Sequence, residues 1–425
     1  MQEYSPRVQK GWAFYDWANS VYSLVISTAI FPIYYASVVS DKVNVFGLEL
    51  NNTSLYTYVL SASFFMVILL SPILSGIADY TGRKKTFLRR FCYIGSISCM
   101  ALFFFEDESF LWLGLLGTFM ASIGFWGSLV FYNSYLPEIA PVEKQDKLSA
   151  RGFAIGYLGS SILLIASLVL IESGVLETGF ATRIVFVITG IWWLGFAQIT
   201  FARLPVSPAR KSIQWSTLTD GFKKLRTVWD ELKHAKNTKR FISAFFLYSV
   251  GVQTVILVSS LYGTKVLNLE TSQLIITILL IQFVGIAGSV LFSFLSKKIG
   301  NIRALSLAVV VWVLVCVSAY LLNPNDPLVI TKFYIVGGLV GLVLGGVQSL
   351  SRSTFSKMLP QEADHTTWFS FYDVTEKAAI VLGTFTFAFL EDVTDNMRYS
   401  ILSLTVFFFI GFVVLRFVKM PKEVA

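Results

Sequence analysis

The sequence predicts an all-α membrane protein: twelve transmembrane helices in two pseudo-symmetric six-helix bundles. Three observations carry that expectation: an apolar composition, twelve separate apolar runs, and loop charges that alternate in sign. Of 425 residues, 55% are hydrophobic and 14% charged, with a mean hydropathy of +0.67, whereas a soluble domain carries about 25% charged residues. At about 20 residues per span, a dozen crossings and short loops use up the chain, which excludes a large soluble domain. Cys92, Cys99 and Cys316 all sit in apolar stretches, so neither a disulfide framework nor a zinc site is expected.

The runs fall, in order, at about Trp12–Val39, Ser54–Ala78, Phe87–Phe105, Phe110–Tyr135, Gly152–Ile171 and Ile184–Phe201. Six more follow a break: Phe241–Tyr262, Ser272–Leu295, Ala304–Leu322, Leu328–Leu350, Trp368–Leu390 and Tyr399–Phe417. Polar or Gly/Pro punctuation separates them. The first run is too long for a cleaved signal peptide and contains Asp16 and Asn19. Pro205 and Pro208 end the sixth. Residues 1–204 therefore form an N-terminal bundle, 205–239 a cytoplasmic linker and 240–425 a C-terminal bundle. In the linker Leu218, Phe222, Leu225, Trp229 and Leu232 make one helical stripe, with Lys223, Lys224, Arg226 and Lys233 opposite. That is an amphipathic helix lying on the inner leaflet, read as a tether between bundles.

Taking the termini and every second loop as one side gathers 28 of the 34 Lys and Arg there, against five on the other side and Lys377 inside a span. By the positive-inside rule, both termini face the cytoplasm, in the plasma (inner) membrane if the host is bacterial. With the acidic residues counted, the inner side carries +17, the outer side −7 and the spans −2. The net +8 is thus a topology signal facing anionic lipid, and no nucleic-acid partner is expected.

Two landmarks point to an internal repeat. The second span ends in G-I-A-D-Y-T-G-R-K-K (Gly76 to Lys85), and the eighth in S-K-K-I-G-N-I-R (Ser296 to Arg303). Gly82 and Gly300 are 218 residues apart, and the prolines of Leu136-Pro137-Glu138 and Leu359-Pro360-Gln361 are 223 apart. The second copy is degenerate, with Lys297 where Asp79 would fall. In the first copy Gly76 and Gly82 permit close helix approach and a tight turn. Asp79 suits a neighbouring helix N-terminus, and Arg83 is placed to pair with Glu138.

This loop, Gly76, Asp79, Gly82 and Arg83, resembles the G-x-x-x-D-x-x-G-R-K/R signature of the major facilitator superfamily of secondary transporters. The resemblance implies an inner latch that breaks when the transporter opens inward. Further stretches narrow it: G-W-A-F-Y-D-W-A-N-S-V-Y from Gly11, F-Y-N-S-Y-L-P-E-I-A from Phe131, S-A-R-G-F-A-I-G-Y-L-G from Ser149, G-G-V-Q-S-L-S-R-S-T-F from Gly345 and F-Y-D-V-T-E-K from Phe371. Together they look like the vacuole-effluxer-like branch, which includes fungal vacuolar amino-acid exporters. Ser370 stands where a glycine is common in that branch, and Leu382-Gly383-Thr384 lacks its usual proline.

Ionisable groups inside a span cost about 2.5–3.5 kcal/mol each on insertion scales, and four qualify here: Asp16, Asp373, Glu376 and Lys377. Asp16, Asn19, Ser20, Ser23 and Ser27 form one polar stripe at helical spacing, facing either a cavity or, at the span's end, the helix dipole. Asp373 and Lys377 are four apart in the favourable acid-before-base order, with Glu376 pointing about 100° away. Either they form a static ion pair, or a carboxylate there binds and releases a proton. Arg352, one turn from Gln348, is placed to snorkel, to close a gate or to bind a carboxylate. Tyr15, Asn19, Tyr132, Asn133, Gln253 and Tyr372 complete the candidate cavity lining, and Gly152, Gly156 and Gly159 read as close helix packing.

The absence of a G-x-x-x-x-G-K-[ST] loop excludes self-driven ATP hydrolysis. The two histidines, His234 and His365, lie in or beside loops, which disfavours haem, metalloprotease and desaturase chemistry. No enzymatic activity, cofactor or metal is expected. The leading expectation is a monomeric secondary transporter moving a small solute by alternating access, with neutral amino acids, export and proton coupling as the first guesses. The alternative is a transporter-like sensor or scaffold that binds a ligand without turnover.

Overall fold

A computed structural model describes residues 5–45, 47–206, 226–360, 364–394 and 396–421. Twelve long helical rods carry it. We label them α1 (Pro6–Val38), α2 (Asn52–Thr81), α3 (Lys84–Ala101), α4 (Leu111–Asn133), α5 (Val142–Glu172) and α6 (Thr178–Arg203). Then come α7 (Lys236–Leu267), α8 (Thr271–Ile299), α9 (Asn301–Leu321), α10 (Val329–Lys357), α11 (His365–Thr394) and α12 (Met397–Arg416). Eleven of these are long and apolar enough to cross a membrane among the described residues. The twelfth, α11, has the length, but Asp373, Glu376 and Lys377, with Glu391 and Asp392 near its end, leave no bilayer-length stretch of it with fewer than three charges.

The chain divides into two compact units: Met1–Tyr135 with Ile155–Leu225, and Leu136–Ala154 with Arg226–Ala425. Within the first unit α2 packs on α4, α3 on α4 and α6, and α1 on α6. Within the second, α8 packs on α10, α9 on α10 and α12, and α7 on α12. These pairings among α7, α8, α9, α10 and α12 repeat those among α1, α2, α3, α4 and α6, six places before, as a duplicated six-helix unit requires. Small residues make the closest approaches. Gly95 of α3 meets Gly124 of α4 backbone to backbone, and Gly341 and Gly345 of α10 admit the α8 backbone at Ile281 and Gly285. Apolar lipid offers no driving force for helix association, so this backbone proximity supplies it.

Several elements differ from the sequence expectation. Both α5 and α10 are longer than their apolar runs: α5 begins at Val142 rather than Gly152, and α10 continues to Lys357. Hydropathy registers only the lipid-matched part of a helix, and the added turns are polar. The segment after α1 contains an antiparallel hairpin, β1 (Lys42–Val45) and β2 (Leu48–Asn51), in a protein otherwise helical among its described residues. Val43 and Val45 point inward in alternation, and Gly47 turns with φ +86°.

The helix α1 is wound as a π-helix over Tyr22–Ile30. A wider turn breaks the 3.6-residue period, so the expected stripe does not continue as one face: Asp16 and Asn19 are buried, while Ser20, Ser23 and Ser27 are half-buried. Of the linker stripe, Leu218, Phe222, Leu225, Lys223 and Lys224 lie outside the described residues. Residues 226–234 are helical, with Val228 and Leu232 buried one turn apart and Trp229 half exposed against Phe371.

Candidate functional site

In the first unit the polar centre is Asp16, about 15 Å along α1 from Pro6. Its Oδ2 accepts the Tyr132 hydroxyl at 2.8 Å. Trp12, one turn earlier, stacks on Tyr132 at 4.5 Å between centroids, and its indole N–H donates to the Tyr132 carbonyl at 2.8 Å. Tyr15 leans on the same ring at 5.0 Å. The spacing that brings Trp12, Tyr15, Asp16 and Asn19 together is one α-helical face. Of the expected cavity lining, Tyr15 and Tyr132 are fully buried in a stacked cluster with Trp12, and Asp16 is 5% exposed. Asn133 is half-buried at the end of α4. Close packing at Gly156 and Gly159 is as expected: a Cβ on Gly156 would sit 2.6 Å from Ser20 Oγ, and one on Gly159 would meet the Trp17 ring.

The second unit concentrates the charges. Lys377 lies twelve residues, about 18 Å, into α11, near the middle of this 30-residue helix. Its side chain is fully buried, and its ammonium donates to Asp373 Oδ1 at 2.7 Å and to Glu376 Oε2 at 3.3 Å. The expectation that Glu376 points away is corrected: the flexible lysine stem bends back so that adjacent carboxylates both reach its head. Gln253 of α7 donates to Glu376 Oε1 at 2.8 Å. Two carboxylates thus share one ammonium. Around them Tyr248 bonds Ser351 at 2.7 Å, and Tyr372 stacks between Phe245 at 4.1 Å and Phe355 at 5.0 Å.

A second buried network joins α5, α8, α9 and α10 within this unit. Asp146 accepts from Ser296 Oγ at 2.8 Å, Asn301 Nδ2 at 2.9 Å and Lys357 Nζ at 2.7 Å. Asn301 also donates to Thr354 Oγ1 at 3.0 Å and accepts from Lys357 at 3.1 Å. One turn away Arg352 donates to Ser149 through Nε and Nη2, each at 2.9 Å, and lies 4.2 Å over the Phe153 ring. With 3% exposure, Arg352 does not snorkel. Gln348, one turn before it, is half-buried. Sequence reasoning missed Asp146, Asn301 and Lys357. The missing acid in the second copy of the loop motif was the available signal: Asp146 from α5 supplies a carboxylate to the turn where Lys297 replaces the acid.

The first copy of that motif makes the turn expected of it. Gly82 closes α2 with φ 71°, a left-handed conformation that glycine adopts without strain, and its N–H together with that of Arg83 returns to the Ala78 carbonyl. Gly76 is buried and Asp79 half-buried on the last turns of α2. Lys84 sits 4.2 Å over the Tyr135 ring, and Lys85 donates to the Leu204 carbonyl at 2.7 Å. Glu138 lies 3.2 Å from His365 Nδ1 at the start of α11.

Repeated six-helix adjacency, bilayer-length apolar rods and paired ions at mid-helix define an integral, multi-pass membrane transporter of the major facilitator fold. A structure of the E. coli fucose:proton symporter FucP superposes with a TM-score of 0.70 at 13% identity over 98% of both chains, which establishes the fold. The chain belongs to the family described as "Vacuole effluxer Atg22 like", whose profile matches residues 5–425. It is 32% identical to the uncharacterized MFS-type transporter YxiO of Bacillus subtilis (strain 168), over 98% of this chain and 95% of that one. It is 26% identical to autophagy-related protein 22 of Yarrowia lipolytica, over 84% of this chain and 74% of that one. With this family membership the chain is a transporter, not an enzyme.

Proposed function

We propose that the protein is a monomeric secondary active transporter that exports neutral amino acids by alternating access, with proton movement coupled to the α11 carboxylates. The observation that carries this reading is the Asp373–Lys377–Glu376–Gln253 cluster, placed near the middle of a spanning helix. Insertion of three ionisable groups there costs several kcal/mol before pairing, and a static helix lock would be served by Asp373 and Lys377 alone. Glu376 is the more accessible carboxylate, with 18% of its side chain exposed. Protonating it removes its charge from Lys377 and weakens its bonds to Lys377 and Gln253, so a proton changes how α7 and α11 are held. The groups facing it are Lys377 and Asp373 on α11 and Gln253 and Tyr248 on α7, with Tyr372 in electrostatic reach. The export direction draws on the family's description as a vacuole effluxer, and the cargo class on the resemblance of the sequence motifs to vacuolar amino-acid exporters. Both termini at the cytoplasmic face follow from the loop charges.

The test is flux in proteoliposomes under an imposed pH gradient. The gradient should alter flux of the cargo in the unaltered protein, and Glu376→Gln or Asp373→Asn should weaken that dependence. Equal pH dependence in all three proteins would remove the coupling assignment. Saturable binding without flux would replace the transporter reading with that of a sensor.

A further inference from the structure

Resting on the transporter reading, we infer that the α11 cluster is a seat for a protonated amine, so that the cargo is recognised through its ammonium group and needs no carboxylate. The inference follows from which bonding positions are taken. Lys377 is fully buried and held by two carboxylates, so it has no room for an anionic cargo group. The other buried cations of this unit are engaged as well: Arg352 by Ser149 and Phe153, Lys357 by Asp146 and Asn301. Among the carboxylate oxygens, Glu376 uses Oε1 for Gln253 and Oε2 for Lys377, and Asp373 uses Oδ1 for Lys377. Asp373 Oδ2 is buried with no hydrogen-bond partner. Ser370 Oγ, one turn earlier on the same face of α11, is fully buried and equally without one.

Two carboxylates against one ammonium leave the cluster one positive charge short of neutrality. A group that completes it must donate hydrogen bonds and carry positive charge. A primary ammonium does both, with one N–H for Asp373 Oδ2 and another for Ser370 Oγ. A carboxylate or phosphate would be repelled, and a sugar hydroxyl would donate without neutralising. Ser370 is thereby a specificity residue: its hydroxyl adds the second acceptor that a glycine at that position lacks.

The experiment uses the purified full-length protein in detergent and measures thermal stabilisation by three matched sets: the proteinogenic amino acids, their carboxamides and their N-acetyl derivatives. A compound that stabilises as an amino acid should keep its effect as the amide, and lose it when N-acetylated. Asp373→Asn should weaken the apparent affinity of the stabilising compound about tenfold or more, as loss of a charged hydrogen bond does, and Ser370→Ala should weaken it less. Asp373→Glu should retain binding, which separates a lost ammonium contact from a misfolded variant. The seat is overturned if an N-acetyl compound stabilises as well as its parent, if no compound of the three sets stabilises, or if well-folded Asp373→Asn binds unchanged. Vesicle flux separates the two readings: binding of amines without flux removes transport and leaves the seat, and flux of a cargo lacking an amine does the reverse.

Discussion

Replacing Asp146 by asparagine removes one charge and almost no volume, yet it strikes three hydrogen bonds at once. The carboxylate is 4% exposed and Lys357 is 6% exposed, so neither partner can recruit water when the other is lost. In Asp146→Asn the ammonium loses its charged partner and keeps only neutral acceptors, and Ser296 and Asn301 lose a charged acceptor. Breaking a buried pair from one side costs about 3–5 kcal/mol, and we expect that range for Asp146→Asn and for Lys357→Met alike. In the double variant no buried charge is stranded, so the combined loss should fall short of the sum by about 2–3 kcal/mol. The assay is reversible denaturant unfolding of the micelle-held protein for all four species of the cycle. Single-variant losses below about 1 kcal/mol, or strict additivity, would refute the claim that this network secures the start of α5 to α8, α9 and α10.

Three further outcomes are expected. Gly82→Ala forces an L-residue into a left-handed turn and should cost about 1–2 kcal/mol, read as a lowered midpoint in the same unfolding assay. Gly345→Val drives a side chain into the α8 backbone and should abolish monodisperse protein on gel filtration, whereas Gly338→Ala, with open space around it, should leave the elution profile intact. Glu177 caps α6 by accepting the Gly179 and Phe180 N–H groups at 2.8 Å each, and these bonds hold its carboxyl below the usual glutamate value. Its contribution is therefore present above the unfolded value of about 4.3 and lost as pH falls through the lowered one. Acidification from pH 5 to 3 should destabilise Glu177→Gln less than the unaltered protein, and equal losses would contradict the cap.

The spans were legible because the hydrophobic requirement of a bilayer is written continuously over about 20 residues. The Asp373–Lys377 pair was legible for a similar reason: its spacing is local, one helical turn. What escaped was non-local. Asp146 stands in a stretch of mixed charge that reads as loop, and nothing near it in sequence announces Ser296, Asn301 or Lys357. Tyr15 and Tyr132 carry polar tips that suit a cavity wall, and only packing brings them together in a buried cluster. The Glu376 contact with Lys377 depends on side-chain torsion, which helical periodicity does not encode.

The π-wound segment of α1 bears on how this helix is to be mutated. More residues per turn over Tyr22–Ile30 put the part before it and the part after it out of phase. A helical wheel drawn through the whole rod therefore assigns the wrong neighbours to Phe31, Tyr34 and Tyr35, which meet Phe105, Phe186 and Tyr56. Two wheels, restarted at residue 31, describe the helix. A one-residue deletion inside the segment, by returning it to ordinary α winding, would turn the aromatic end relative to Asp16 without altering a single side chain in either part.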